Sequence, residues 1–134
     1  MSYLVNIDDW QIEYNSGIPV YRQIINLACA AVAAGTLNTG DQLPTIRALS
    51  ECLKVNPNTV AKAYRELEFK GIIVSERGSG SFIQAQSPAL KSGAREKKEK
   101  LKKLYHRLLA DAAISGLTES ELLNFIKEKT PPTL

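Results

Sequence analysis

The segment VNPNTVAKAYRELEFKG, residues 55–71, holds the densest set of side chains suited to recognition chemistry. At about 100° per residue, Asn58, Ala61, Lys62 and Arg65 share one side of a helix, and Val60, Ala63, Tyr64 and Leu67 form an apolar stripe on the other. Asn58 and Lys62 stand one turn apart, so a carboxamide that donates and accepts lies beside an ammonium that only donates. That pair suits the edges of bases: the amide bonds adenine N6 and N7 together, and the ammonium donates to guanine O6 or N7. Asn56 and Thr59 lie where the helix starts, where unpaired backbone N–H groups attract a phosphate. Asn56 taken alone is better explained as the helix N-cap, and Arg65 serves equally well as a solvated helix residue. Phe69 also falls on the polar side, with the C-terminal part of the chain as one candidate to cover it.

Other chemistries are thin. No Ser/His/acid set can be assembled, His106 has no second ligand at metal-binding spacing, and the run Gly78-Ser79-Gly80-Ser81 lacks the lysine and helix start of a phosphate-cradling loop. Cys29 and Cys52 form neither a CxxC pair nor a disulfide framework and are expected to be free, largely buried thiols. An enzyme is therefore disfavoured, and no cofactor or metal is expected.

The elements that must position the helix follow from pattern and punctuation. Residues 10–15 (WQIEYN) suit a short strand or an extended arm. From Pro19, Tyr21, Ile24, Ile25, Ala28, Ala31 and Val32 recur at helical spacing as far as Gly35, giving a first helix over about 19–34, with Pro19 at its first position. Thr45 can cap a second helix, 45–53, with Ile46, Leu49 and Leu53 inward. The third runs over 57–70, from Pro57 to an exit at Gly71. The runs IIVSER and SFIQ flank Gly78-Ser79-Gly80 as a β-hairpin. Helix, helix, turn, helix, hairpin is the order of a winged helix-turn-helix. Arg77 and the Gly78-Ser79-Gly80 tip suit a wing along a minor groove, where glycine admits close backbone approach and arginine favours a narrow, electronegative channel.

Beyond residue 84, QAQSPALKSGA has linker composition. Leu101, Leu104, Tyr105, Leu108, Leu109 and Ala112 then form an amphipathic stripe, ended by Gly116. Thr118 and Glu121 make a capping box that opens a last helix bearing Leu122, Leu123, Phe125 and Ile126. Two helices of about 35 residues cannot enclose a core. Their stripes must pack on the winged domain or on a second copy, and a homodimer is favoured. The expected organisation is mainly α with a small β wing: a winged helix-turn-helix domain over 1–84, a linker over 85–94 and a two-helix dimerisation tail over 95–130.

Charge is distributed unevenly. Residues 1–90 carry 7 basic and 8 acidic side chains, 91–107 carry 8 and 2, and 108–134 carry 2 and 4, for a net charge of +3 over 134 residues. A polyanion partner touching one face is the natural reading. The lysine-rich stretch 91–107 admits three roles: a solvated helix face, an additional phosphate-binding surface, or a membrane-surface helix, the last lacking the usual large aromatic residues. With 44% hydrophobic and 23% charged residues the chain suits a soluble globular protein. It has no membrane-length apolar run and no secretory leader pattern, so the cytoplasm is the expected compartment.

Residues 40–83, GDQLPTIRALSECLKVNPNTVAKAYRELEFKGIIVSERGSGSFI, resemble the GntR family of transcription regulators, following its proline–hydroxyl–x–arginine turn, recognition helix and glycine wing almost without gaps. The short two-helix tail resembles the YtrA-type branch, and no room exists for the larger effector domains of other branches. The resemblance implies a dimeric repressor on an inverted-repeat operator in double-stranded DNA, often controlling its own operon and adjacent transporter genes. It also implies that Arg47 reaches the DNA, with Thr45 on the backbone beside it. One departure matters: many relatives carry base-reading arginines where this chain has Pro57 and Ala61. Reading then falls to Asn56, Asn58, Lys62 and the wing. A non-sequence-specific or architectural DNA binder is the rival, weakened by the net −1 of residues 1–90, since such binders neutralise phosphate over a broad surface. No constellation in residues 91–134 identifies an effector site.

Overall fold

The computed structural model describes residues 7–84 and 93–129. The chain divides between Ser87 and Pro88 into two compact units. Most of the expected linker, residues 85–92, lies outside the described residues, as does residue 130 of the expected tail.

The first unit contains α1 (Val20–Ala34), α2 (Ile46–Leu53), α3 (Pro57–Phe69), β1 (Ile73–Glu76) and β2 (Gly80–Ile83). Local chemistry sets the helix ends. Thr45 caps α2 by accepting the Ala48 N–H at 3.0 Å, and Asn56 caps α3 by accepting the Asn58 N–H at 2.8 Å, each cap contributing about 1 kcal/mol. At the far end of α3, Gly71 takes φ +78°; its N–H reaches Glu68 O at 3.0 Å, and the Ile72 N–H reaches Leu67 O at 2.9 Å. This closed pair of bonds ends the helix, with Leu67 and Ile72 in contact with the same apolar cluster. Pro19 sits one position earlier than expected: it is the N-cap of α1, with extended backbone, and Val20 is the first helical residue.

One core joins these elements. Ile24, Ile25 and Ala28 of α1, Leu49 of α2, Val60, Ala63, Tyr64 and Leu67 of α3, and Ile73 and Ile83 of the hairpin are buried together. Residues 40–43 lie alongside β2 as a third lane, with Gly40 N to Ile83 O, Ile83 N to Asp41 O and Leu43 N to Ser81 O all at 2.8–2.9 Å. Residues 10–15 form no strand but an arm on the core: Trp10 and Ile12 pack against it, and Gln23 of α1 holds the Glu13 backbone at both N (2.8 Å) and O (2.9 Å). Two inward placements are corrected. Ile46 is exposed, because the first residue of an eight-residue helix lies at the rim of its apolar side, and Cys52 is exposed on the outer side of the same helix. Cys29 is half-buried, and burial raises its thiol pKa against the lowering effect of Lys70.

The second unit is a helical hairpin, α4 (Ala94–Ile114) and α5 (Glu119–Lys129). Helix α4 thus begins on the last residue of the expected linker. Gly116, at φ +78°, reverses the chain as the Leu117 N–H bonds Ala112 O at 2.8 Å. The capping box forms: Thr118 Oγ1 accepts the Glu121 N–H, and Glu121 Oε1 accepts the Thr118 N–H, both at 3.2 Å. The Tyr105 hydroxyl donates to Glu119 Oε2 at 2.7 Å and ties the two helices.

Candidate nucleic-acid interface

Helix α3 turns its apolar stripe fully inward, which leaves Asn58, Lys62 and Arg65 exposed on its outer side. Asn56 commits its carbonyl oxygen to the cap, so its amide N–H groups are what it presents outward. Thr59 is half-buried beside it. Lys62 has a partner that its own helix did not reveal: its Nζ lies 4.0 Å from the ring centroid of Tyr21 on α1. A cation over a tyrosine face is attracted by the ring quadrupole, so the lysine is aimed rather than freely swinging. Phe69, near the end of the same side, is 94% exposed.

Helix α2 is locked to α3 through a buried bond, the Tyr64 hydroxyl donating to Pro44 O at 2.6 Å. Because Pro44 directly precedes the cap, the bond sets Thr45 and Arg47 relative to the α3 frame. Arg47 is 90% exposed and its Nε lies 3.3 Å from Glu51 Oε1. An exposed pair of this kind contributes little, so the guanidinium can exchange it for a phosphate.

The wing turn is Arg77, Gly78 and Ser79, all exposed, while Gly80 already belongs to β2 opposite Glu76. Gly80 has a structural requirement of its own. Its φ is +119°, and a Cβ there would come within 2.6 Å of the Gln42 amide nitrogen. Gln42, missed by the sequence reading, donates to Ser79 O at 2.9 Å and so pins the wing tip to the strand-like lane before α2. Tyr64, Gln42 and Tyr21 are therefore the positioning residues, each acting on a residue far away in the chain.

In the tail, the expected dimerisation residues divide into two groups. Leu101, Leu104, Leu108, Leu123 and Ile126 are exposed, whereas Tyr105, Leu109 and Leu122 are half-buried. Ile114, Leu117 and Phe125 add exposed apolar surface. Among the described residues, no group of His, Cys, Asp and Glu is arranged to hold a metal ion, and no helix is long and apolar enough to cross a membrane.

Residues 20–83 match the model of the bacterial regulatory proteins of the gntR family. The chain is 38% identical over 120 residues to the HTH-type transcriptional repressor YtrA of Bacillus subtilis, covering 88% of this chain and 89% of that one. The chain belongs to the GntR family. The uncharacterized HTH-type transcriptional regulator YhcF of Bacillus subtilis is also similar, 33% identical over 88% of this chain and 95% of its own length. Among solved structures, a protein described as a transcriptional antiterminator from Listeria monocytogenes superposes with TM-score 0.63 at 32% identity, over 90% of this chain and 89% of that one. YtrA from Sulfolobus acidocaldarius, a GntR-family transcription factor, superposes with TM-score 0.57 at 32% identity, over 75% and 97%. This GntR-family chain is accordingly a DNA-binding transcriptional regulator with a winged helix-turn-helix and C-terminal helices, similar to regulators rather than to enzymes.

Proposed function

We propose that the protein is a homodimeric, cytoplasmic repressor that reads an inverted-repeat operator, one α3 per half-site, and controls its own operon with adjacent transporter genes. The observation that carries this reading is the outer side of α3: Asn58 and Lys62, exposed one turn apart, on a helix fixed from behind by Val60, Ala63, Tyr64 and Leu67. Asn58 reads adenine and Lys62 guanine, at roughly 1–3 kcal/mol of discrimination for each good base contact. Asn56, Thr59, Thr45 and Arg47 register the phosphates around them. Arg77, Gly78, Ser79 and Gly80 lie along the minor groove. The exposed tail residues Leu101, Leu104, Leu108, Leu123 and Ile126 support pairing with a second copy, because a two-helix hairpin cannot cover them by itself. A two-fold dimer sets two recognition helices about one DNA turn apart, which is why the operator repeats inverted.

Selection of bound sequences from a random duplex pool tests the reading, with Asn58→Ala and Lys62→Ala run in parallel. A palindrome that loses defined positions in each variant is the expected result. Enrichment of no sequence, with equal affinity for any duplex, would replace it with an architectural role.

A further inference from the structure

We propose that the first half of α4 is a second DNA-contacting surface, which grips phosphates flanking the half-sites and supplies electrostatic affinity that the winged unit lacks. The proposal rests on the DNA-binding reading above and extends it to a different helix.

The winged unit has little charge to spare. Its described residues 7–84 carry 7 basic and 8 acidic side chains, although sequence-independent affinity for a duplex comes from neutralising phosphates. The excess sits on α4. Arg95, Lys97, Lys98, Lys100, Lys102, Lys103 and Arg107 are all exposed there, against Glu96 and Glu99 in the same stretch and Asp111 in the last turns. The Glu99–Lys102 pair, at 3.7 Å, takes up part of that charge and is itself open to solvent.

The arrangement works against the helix that carries it. A helix is favoured by acids in its first turn and bases in its last, because of its macrodipole. Helix α5 follows that rule, with Glu119 and Glu121 at its start and Lys127 and Lys129 at its end. Helix α4 follows it poorly: Glu96 stands in its first turn, but Arg95, Lys97 and Lys98 crowd around it there, and its last turn holds no basic residue. Lys98 and Lys102 are four apart, and Lys97 and Lys100 three apart, spacings at which like charges repel. An anion at this end relieves both penalties, since it meets the positive end of the dipole and the lysines together. Packing offers no rival explanation for residues 94–100, AREKKEK, which hold no apolar side chain larger than Ala94; the stripe starts only at Leu101.

A duplex fits this surface better than a lipid surface, which would need large apolar residues opposite the lysines in the same turns. Eight residues connect Gln84, just after the wing, to Gly93, just before α4. Fully extended, a stretch of that length spans about 30 Å, comparable to one turn of duplex.

The test uses the full-length protein and its selected operator in two lengths, bare and with about ten flanking base pairs on each side, titrated across salt by fluorescence anisotropy. Wild type is compared with the triple variant Arg95→Gln, Lys97→Gln, Lys98→Gln. The expected result is that wild type binds the long duplex more tightly than the short one. The triple variant loses that advantage, its salt slope on the long duplex falls by about 2 to 3 per chain, and its preference for the operator over a scrambled duplex is unchanged. A Lys97→Arg, Lys98→Arg variant should keep the wild-type slope. Equal slopes and affinities for wild type and triple variant would overturn the proposal, as would loss of binding to phosphatidylglycerol vesicles with DNA binding unaltered. Should the triple variant lose helix, Lys97→Ala with Lys98→Ala, which favours helix, carries the same test. Absence of any operator preference in wild type would instead sink the regulator reading, and the salt slope would still report the α4 contacts.

Discussion

The winged unit and the tail are both helical, yet they use apolar residues in opposite ways. Thirteen residues of the winged unit converge on one buried cluster, whereas Ala112 is the one buried apolar residue among the described residues of the tail. The reversal at Gly116 and the Thr118–Glu121 box define the hairpin of α4 and α5, whereas burial fixes α1, α2 and α3. The difference teaches that secondary structure and a hydrophobic core are separable. A hairpin with Leu101 and Leu104 more than half exposed is a helical element waiting for a surface, not a finished domain.

The same leucine-to-alanine change in each region should break the symmetry most visibly. Leu67 is fully buried, so Leu67→Ala is expected to cost the winged unit about 2–5 kcal/mol through lost transfer energy and a residual cavity. Urea unfolding followed by tryptophan fluorescence measures it, since Trp10 packs against that core. Leu104→Ala should leave that transition where it is. A loss at Leu104 equal to that at Leu67 would mean the two units share one cooperative core.

Next in size is the effect on association. Leu104→Glu with Leu108→Glu places two charges in the exposed stripe and should yield monomers by analytical ultracentrifugation, with unfolding of the winged unit unaltered. Operator affinity should fall because two half-sites no longer bind as one, and the tail's melting temperature should cease to depend on protein concentration. A variant that remains dimeric would place the dimer contact elsewhere than on this stripe.

How much of this was legible in the residues follows the range of the interactions. Asn56-Pro57 and Gly71 mark the two ends of α3 because their bonds close within five residues, and the Thr118–Glu121 box opens α5 for the same reason. The outer side of α3, and with it Asn58 and Lys62, follows from helical periodicity alone. Gln42 and Tyr21 were out of reach: Ser79 lies 37 positions from Gln42, and no local pattern brings Lys62 over a ring on α1. Gln23 reads as a polar interruption of an apolar stripe until the arm at Glu13 is seen to fold onto it. Ile46 is exposed because it opens α2 at the rim of its apolar side, and Cys52 because the usual burial of a free thiol says nothing of which side of a helix carries it.

Two tyrosine hydroxyls give the finest form of the comparison. Tyr64 donates to Pro44 O inside the core, and Tyr64→Phe leaves that carbonyl without its donor, for a loss of about 1–2 kcal/mol in urea unfolding and a looser link between α2 and α3. Tyr105 donates to Glu119 in the open, so Tyr105→Phe should change little at neutral pH. Its signature is in alkali. The hydrogen bond to Glu119 raises the phenol pKa above its ordinary value near 10, helped by desolvation and by the charge of Glu119. A group whose pKa is raised by folding stabilises the folded form fully below its unfolded pKa and loses that contribution as pH climbs through the raised value. Helicity of the protein, followed by circular dichroism from pH 8 upward, should therefore fall more steeply in wild type than in Tyr105→Phe, the lysine titrations being common to both. Identical profiles would show that the Tyr105–Glu119 bond does not hold the hairpin together in solution.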